Sequence, residues 1–388
     1  MNHPPTTPDP ATAPAARSLV EDVLPLSPLQ DGILFHALFD EDEHDVYVAQ
    51  LLLDLDGPLD ADRLRAAADT VLERHANLRA GFLRRATGEP AQVVQRGVRA
   101  PWQETDLSGL GTAERAVAVD ALLAEDRATR FDLARPPLLR FTLIRTGPLS
   151  HRLLLTYHHI LMDGWSWPVL VRELLALHHA DDAPLGPVTP YSAFLGRLHS
   201  RDTAAAQDAW TRALDGLAGG TRTAPVSPPP GSVLPDRVAT YLPESLTERL
   251  GALARGHRIT SGTLLQGAWA LLLGRQIRSE DVVFGAIVSG RDPELPGVAD
   301  IVGLCINTVP VRVRIDPAES LVALFERLQD EQARLIDHQA LSGKADVARQ
   351  RLKLLYDAGT EIGTVLDVVR TCEELADFAT TRFADYAT

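Results

Sequence analysis

The sequence predicts a mixed α/β protein built as two lobes, each a two-layer sandwich of helices on a sheet. Strand-like and helix-like segments follow one another in mixed order through both halves. A stretch rich in Gly, Pro and Ser, GGTRTAPVSPPPGSVLPD, separates the halves, and no regular element persists through it. The chain's 388 residues, 45% of them hydrophobic, suffice for two domain-sized cores.

The elements follow from local pattern. Residues 1–17 read as a disordered arm, with four prolines in the first ten positions. An N-terminal lobe is expected over 18–183. It opens with a proline-bounded turn in VEDVLPLSPLQ and a helix from Leu29 to Phe39 capped near Ser27. VYVAQLLLDLDG reads as a strand, LDADRLRAAADTVLER as an amphipathic helix, AQVVQ as a strand and residues 112 to 129 as a helix. LLRFTLIRTG and HRLLLTYHH are neighbouring strands split by a Gly-Pro break, and GWSWPVLVRELLALHHA restarts the helical period. Residues 184–236 form the connection, with one polar helix around Trp210. A C-terminal lobe over 237–340 reads as a strand at VATYLP, helices over 244–256 and SGTLLQGAWALLLGRQI, and strands at DVVFGAIVSGRD and GLCINTVPVRVRI.

Composition excludes several functions. A net charge of −14, from 52 acidic against 38 basic residues, opposes binding to nucleic acid or anionic membrane. The two cysteines, Cys305 and Cys372, have no neighbours at disulfide-framework or zinc spacing. No apolar run is long enough to span a membrane and the opening carries no export signal, so a reducing, cytoplasmic setting is expected.

The chemistry concentrates in TYHHILMDGWS, residues 156–166. On an extended segment His158 and His159 point to opposite faces, so one can meet a cleft while the other packs. A neutral imidazole can accept a proton or orient a nucleophile near neutral pH. Asp163 can orient an imidazole or hold the turn by pairing with an arginine. The second role is favoured, with Arg79 and Arg291 as the candidate partners. Opposite faces make the histidines poor co-ligands, so no metal is expected. A histidine beside an apolar strand is more often a packed core residue than a catalyst, and His178–His179 reads as solvent-facing.

HHILMDG with the following WS resembles the active-site signature of condensation domains of nonribosomal peptide synthetases, which are similar to chloramphenicol acetyltransferase. Four more stretches match in order: LPLSPLQDGILFH, RHANLRAGF, DVVFGAIVSGR and VGLCINTVPVRV. The resemblance implies two chloramphenicol acetyltransferase-like lobes in a V, with a tunnel between them. Upstream donor and downstream acceptor peptidyl carrier proteins would dock at its mouths, each presenting a thioester on phosphopantetheine, with an adenylation domain adjoining. No cofactor would be bound by the domain itself. The acceptor's amine would attack the donor thioester to form a peptide bond.

The resemblance assigns the catalytic set to His159, His158, Asp163 and Gly164. His159 faces the tunnel junction, as a base or as the group that positions the amine. Asp163 forms a shaping salt bridge, and at Gly164 a side chain would crowd the pantetheine path. Trp165, Ser166 and Asn307 fall beside the tunnel, and Gly290–Arg291 on a segment crossing between lobes. The wording of the motifs leans toward the subtype joining an L-donor to an L-acceptor.

Past Arg334 the chain departs from the family's script of further strands, so an incomplete second lobe with an open sheet edge is expected. The tail, 341–388, places Leu352, Leu355, Ile362, Leu366 and Val369 in a helical pattern. It resembles the opening of a GAF-type sensory region found ahead of phosphatase domains in some actinobacterial regulators. Two functions of different class therefore compete: an amide-forming enzyme, and a non-catalytic carrier-binding module left by a truncated second lobe.

Overall fold

The computed structural model describes residues 19–39, 45–85, 87–179, 185–222 and 240–339. The first half runs β1 (Val20–Leu24), α1 (Pro28–Phe39), β2 (Val48–Asp56), α2 (Ala61–Arg74), β3 (Ala80–Arg84), β4 (Pro90–Gln95), β5 (Trp102–Asp106), α3 (Thr112–Ala128), β6 (Leu139–Arg145), β7 (Ser150–His158) and α4 (Ser166–His179). Two helices follow, α5 (Tyr191–His199) and α6 (Thr203–Ala213). The second half gives α7 (Glu244–Gly256), α8 (Ser261–Ile277), β8 (Asp281–Ser289), β9 (Ile306–Arg314) and α9 (Leu321–Leu335). The fold is mixed α/β.

The first lobe is organised by a four-stranded sheet in the order β2-β7-β6-β5, with only the β5–β6 pair parallel. β7 is interior to this sheet, which explains its run of buried residues from Leu153 to His158 on both faces. α2 starts at an Asp60 cap, whose carboxylate accepts from Arg63 N–H at 3.0 Å, and buries Leu64, Ala67, Ala68, Val71 and Leu72 at helical spacing. A three-stranded antiparallel sheet, β1-β4-β3, lies beside it.

In the second lobe, β8 and β9 pair antiparallel from Asp281↔Arg314 to Ser289↔Ile306. Val282, Phe284, Val311 and Val313 pack there against Leu273 of α8 and Phe325 and Leu328 of α9. Between β8 and β9 the chain leaves this lobe, and Val302 and Leu304 enter the core of the first. Ile301, Val302 and Leu304 are each at most 2% exposed, so together they fix the seam by roughly 5–9 kcal/mol, an upper value for burial.

Several expectations fail locally. VEDVL forms β1 rather than a turn, because Val20–Leu24 pairs with β4, from Val20↔Gln95 to Leu24↔Gln92, a distant partner that local pattern does not reveal. β5 pairs parallel to β6 although WQETD shows no apolar alternation. The connection holds two helices, and Trp210 of α6 is buried with its indole N–H donating to His338 O at 2.7 Å. Residues 240–243 of the strand expected at VATYLP are not strand, and the two before them lie outside the described residues. His178 is buried, its Nε2 accepting from Asp60 N–H at 3.4 Å, while His179 is exposed. The tail from 341 onward lies outside the described residues, as do residues 1–17.

Candidate active site

β7 delivers the tandem histidines to the end of the central sheet, and two backbone bonds aimed in opposite directions fix them. His158 N–H donates to Leu138 O at 2.9 Å and His159 N–H to Tyr47 O at 2.8 Å. The alternation of an extended chain then separates the rings. His158 is fully buried and accepts Ile160 N–H on Nδ1 at 3.2 Å, which assigns its proton to Nε2. Asp45 Oδ2 lies 3.2 Å from that Nε2 but off the N–H direction, so the contact is electrostatic and not a hydrogen bond.

The ring of His159 is partly exposed and sits 6.1 Å from the ring of Tyr157. Burial holds its pKa below the ordinary histidine value, against smaller upward pulls from its own backbone and from Asp163. The ring is therefore neutral at neutral pH and free to accept a proton or a hydrogen bond.

The turn after the histidines is held from several directions. Ser27 and Gln30 form a reciprocal cap on α1, with Ser27 N–H to Gln30 Oε1 at 2.9 Å and Gln30 N–H to Ser27 Oγ at 3.2 Å. Gln30 Nε2 then donates to Ile160 O at 3.0 Å, and Asn77 Nδ2 donates to Leu161 O at 3.1 Å. The segments SPLQ and HANLR thus position the histidine turn; the sequence signals the first only as a helix cap near Ser27 and gives no such signal for the second.

Asp163 is fully buried. Its Oδ1 accepts from Arg291 Nη2 at 2.9 Å and from Ser166 Oγ at 3.1 Å, and its Oδ2 accepts Cys305 N–H at 2.9 Å. Ser166 Oγ also accepts Gly303 N–H at 3.1 Å, and Asp163 N–H donates to Gly303 O at 3.2 Å. Arg291 Nη1 donates to Val298 O and Ile301 O, at 2.7 and 2.9 Å, while its buried Nε has no hydrogen-bond partner among the described residues. One carboxylate therefore ties the histidine turn of the first lobe to both ends of the crossing segment. Close approach makes glycine necessary there: a Cβ on Gly290 would stand 2.3 Å from Cys305 O, and one on Gly303 would stand 2.2 Å from the Tyr191 ring. Burial pushes the Cys305 thiol up to about 12, leaving it a packed, unreactive group.

Arg79 is the correction. It pairs with Glu21 of β1 at 2.6 Å and donates to Gln95 O and Leu72 O, because the 3₁₀ turn Ala76–Arg79 faces the three-stranded sheet rather than the seam. Trp165 is 62% exposed, whereas Ser166 beside it is buried. Gly164 is exposed and has no positive φ, and a Cβ there would meet no protein atom within 4 Å. Asn307 donates to Gln339 O at 2.7 Å and lines a cavity of about 680 Å³ at the seam, together with Gly290, Arg291, Cys305 and Phe194. His159 does not line that cavity. Among the described residues no group of three His, Cys, Asp or Glu side chains stands where it could hold a metal ion. No helix among them is long and apolar enough to cross a membrane.

Fold and site together define a two-lobed α/β protein with a tandem-histidine turn clamped at the seam. The sequence model of the family described as the condensation domain matches residues 20–343. A linear gramicidin synthase of Brevibacillus parabrevis is 35% identical over 82% of this chain, and bacitracin synthase 3 of Bacillus licheniformis is 35% identical over 80%. The chain spans only 4% and 5% of the lengths of those two relatives. Among solved structures, the first condensation domain of the calcium-dependent antibiotic synthetase, in complex with a substrate analogue, superposes with a TM-score of 0.69. Its sequence identity is 23%, covering 85% of this chain and 77% of that one. The cyclization-docking bidomain of a synthetase from Sorangium cellulosum gives 0.72 at 23% identity, covering 87% and 69%. The chain belongs to the condensation domain family.

Proposed function

We propose that this domain forms an amide bond between a donor acyl or peptidyl thioester and the amine of an acceptor aminoacyl thioester. Both are carried on the phosphopantetheine of partner carrier proteins, in a cytoplasmic assembly that includes an adenylation domain. The observation that carries the reading is the division of labour between the histidines: one is buried as scaffold, and the other is neutral and reachable beside a rigid turn.

The amine nitrogen attacks the thioester carbonyl, the C–N bond forms, the C–S bond breaks, and the proton lost from nitrogen ends on the departing thiol. His159 accepts a hydrogen bond from the attacking amine, which holds the lone pair toward the carbonyl and gives the proton a path. Asp163 acts through position, since every described partner of its carboxylate belongs to the clamp. Open space at Gly164 supports the reading that the pantetheine arm passes there, because neither backbone conformation nor protein packing calls for glycine. Trp165 offers an exposed aromatic face beside it, and Asn307 lines the seam cavity. The domain holds no cofactor in this scheme, and the motifs favour an L-donor joined to an L-acceptor.

The test is to load an upstream carrier with an acyl donor and a downstream carrier with an amino acid, and to follow dipeptidyl-thioester on the downstream carrier by mass spectrometry. Product that requires both carriers and this chain supports the assignment. One observation favours a second reading, a carrier-binding module without chemistry: among the described residues the second lobe's sheet has only β8 and β9. Binding of loaded carriers without product would establish that alternative instead.

A further inference from the structure

A second cavity, of about 450 Å³, belongs to neither the histidine turn nor the seam. It runs along β9 between α6 and α9, and its volume falls within the roughly 300–1,000 Å³ typical of small-molecule sites.

The two ends of this groove differ in chemistry. At one end Trp210 and Val309 pack together with Leu335 against them. At the other, where α6 and β9 both finish, Arg312 Nη1 donates to Ala213 O at 3.4 Å and to Asp215 O at 2.7 Å, and Arg212 and Arg314 line the wall beside it. Arg312 has its counter-ion in Asp281, at 2.6 Å. Arg212 and Arg314 are exposed, and neither forms an ion pair among the described residues. The carboxylate that lines the groove, Glu331, lies 3.7 Å from Arg327. A chain with a net charge of −14 thus keeps an uncompensated cationic end on an otherwise apolar slot.

The β8–β9 ladder sharpens that gradient. Ile315 N–H donates to Glu280 O, and Gly290 N–H donates to Cys305 O, at either end of the register. Odd-numbered β9 residues therefore exchange bonds with β8, and even-numbered ones turn their backbone groups to the outer edge. The N–H groups of Arg312 and Arg314 point outward at the cationic end. Pro310, next in that series, has no N–H to offer, so a partner strand cannot pair continuously along this edge. Four donors thus stand together at one end, two guanidiniums and two amides, and apolar wall follows. Such a layout fits a molecule with one anionic head and one apolar chain.

We propose that this groove binds a medium-chain fatty carboxylate. Its head meets Arg212, Arg314 and the outward N–H groups of Arg312 and Arg314, and its chain passes Pro310 to lie on Val309, Leu335 and Trp210. The lengths agree: Val309 to Arg314 spans about 17 Å at the strand rise, and an extended twelve-carbon acid spans about 14 Å with C–C bonds near 1.5 Å. The site is separate from the histidine turn and does not depend on the amide-forming reaction.

Titration of the full 388-residue chain with sodium dodecanoate, followed by calorimetry at neutral pH, tests this. Saturable binding at one site is expected, weakened at least about tenfold for methyl dodecanoate, which lacks the charge, and at least about tenfold for dodecanoate in Arg212→Glu/Arg314→Glu. Both arginines are exposed, and an unchanged urea midpoint reports that the variant is folded. The orientation has its own readout, because a bromine quenches indole fluorescence at contact. 12-Bromododecanoate is expected to quench Trp210 and 2-bromododecanoate to leave it, with the difference lost in Trp210→Phe. Absence of saturable binding would overturn the proposal, as would affinity indifferent to the head charge or to the arginine pair, or quenching that persists in Trp210→Phe. A concentration-dependent dimer that the arginine variant dissolves and dodecanoate does not would give the groove to a second copy and overturn it as well.

Discussion

Replacing Asp163 by asparagine tests the clamp with almost no change in shape. The carboxylate accepts from three donors, Arg291 Nη2, Cys305 N–H and Ser166 Oγ, between 2.9 and 3.1 Å. An amide has one acceptor oxygen, so its NH₂ must face either the arginine side or the Cys305 N–H, and one donor is left facing a donor. The guanidinium of Arg291, with 5% of its side chain exposed, keeps Val298 O and Ile301 O but loses its counter-ion. Breaking a buried pair by removing one partner costs about 3–5 kcal/mol, and Asp163→Asn is expected to fall there. Urea denaturation followed by fluorescence measures it through the shift in midpoint at constant slope. The double variant Asp163→Asn/Arg291→Met removes the orphaned charge and should cost less than the sum of the singles by at least about 1.5 kcal/mol. A single-variant loss below about 1 kcal/mol, or strict additivity, would refute the view that this ion pair holds the seam.

Other expectations divide stability from chemistry. Gly290→Ala places a methyl against the fixed carbonyl of Cys305 and should destabilise the fold by more than about 2 kcal/mol. Gly164→Ala meets no protein atom, so its urea midpoint should stay within about 0.5 kcal/mol while product formation slows. Equal effects of the two on stability would undo the assignment of Gly164 to the substrate path. His75, buried beside Glu173 at 2.9 Å, has its pKa lowered mainly by burial. The unfolded chain therefore binds more protons as pH falls below about 6.5, and stability is lost through that window and recovered above it. His75→Gln should flatten the pH dependence of the urea midpoint, and stability that rose on acidification would reverse the sign claimed. The rate of amide formation should fall on its acid side with a midpoint below the ordinary histidine value, since His159 stays neutral to lower pH. An acid midpoint above that value would assign the limb to another group.

The sequence reveals the histidine turn because its signals are local. Adjacent histidines at the end of an apolar run must face apart, and the structure places one in the core and the other at partial exposure. Ser27 is legible as a helix cap, but the reach of Gln30 to Ile160 O spans 130 positions and leaves no trace in local pattern. The same holds for Asn77 and Leu161 O. Arginine partners are ambiguous for that reason: Arg79 and Arg291 both close turns near strand ends, and only the path of β1 shows that Glu21 takes the first. Paired histidines at a helix end read as exposed, yet the packing of α4 on α2 brings His178 under the Asp60 cap. β5 is illegible as a strand because an edge position half open to solvent carries polar residues on both faces.

In the proposed mechanism His159 works on the reacting amine while His158 is scaffold. Single-turnover transfer from a loaded donor carrier to a loaded acceptor carrier, measured beside urea midpoints, separates the two roles. His159→Ala should lower the rate by about 10²–10⁴-fold with the midpoint little changed, and His158→Ala should cost about 2–4 kcal/mol of stability. A His159→Ala protein that is folded and retains the wild-type rate within about twofold would remove this ring from the reaction.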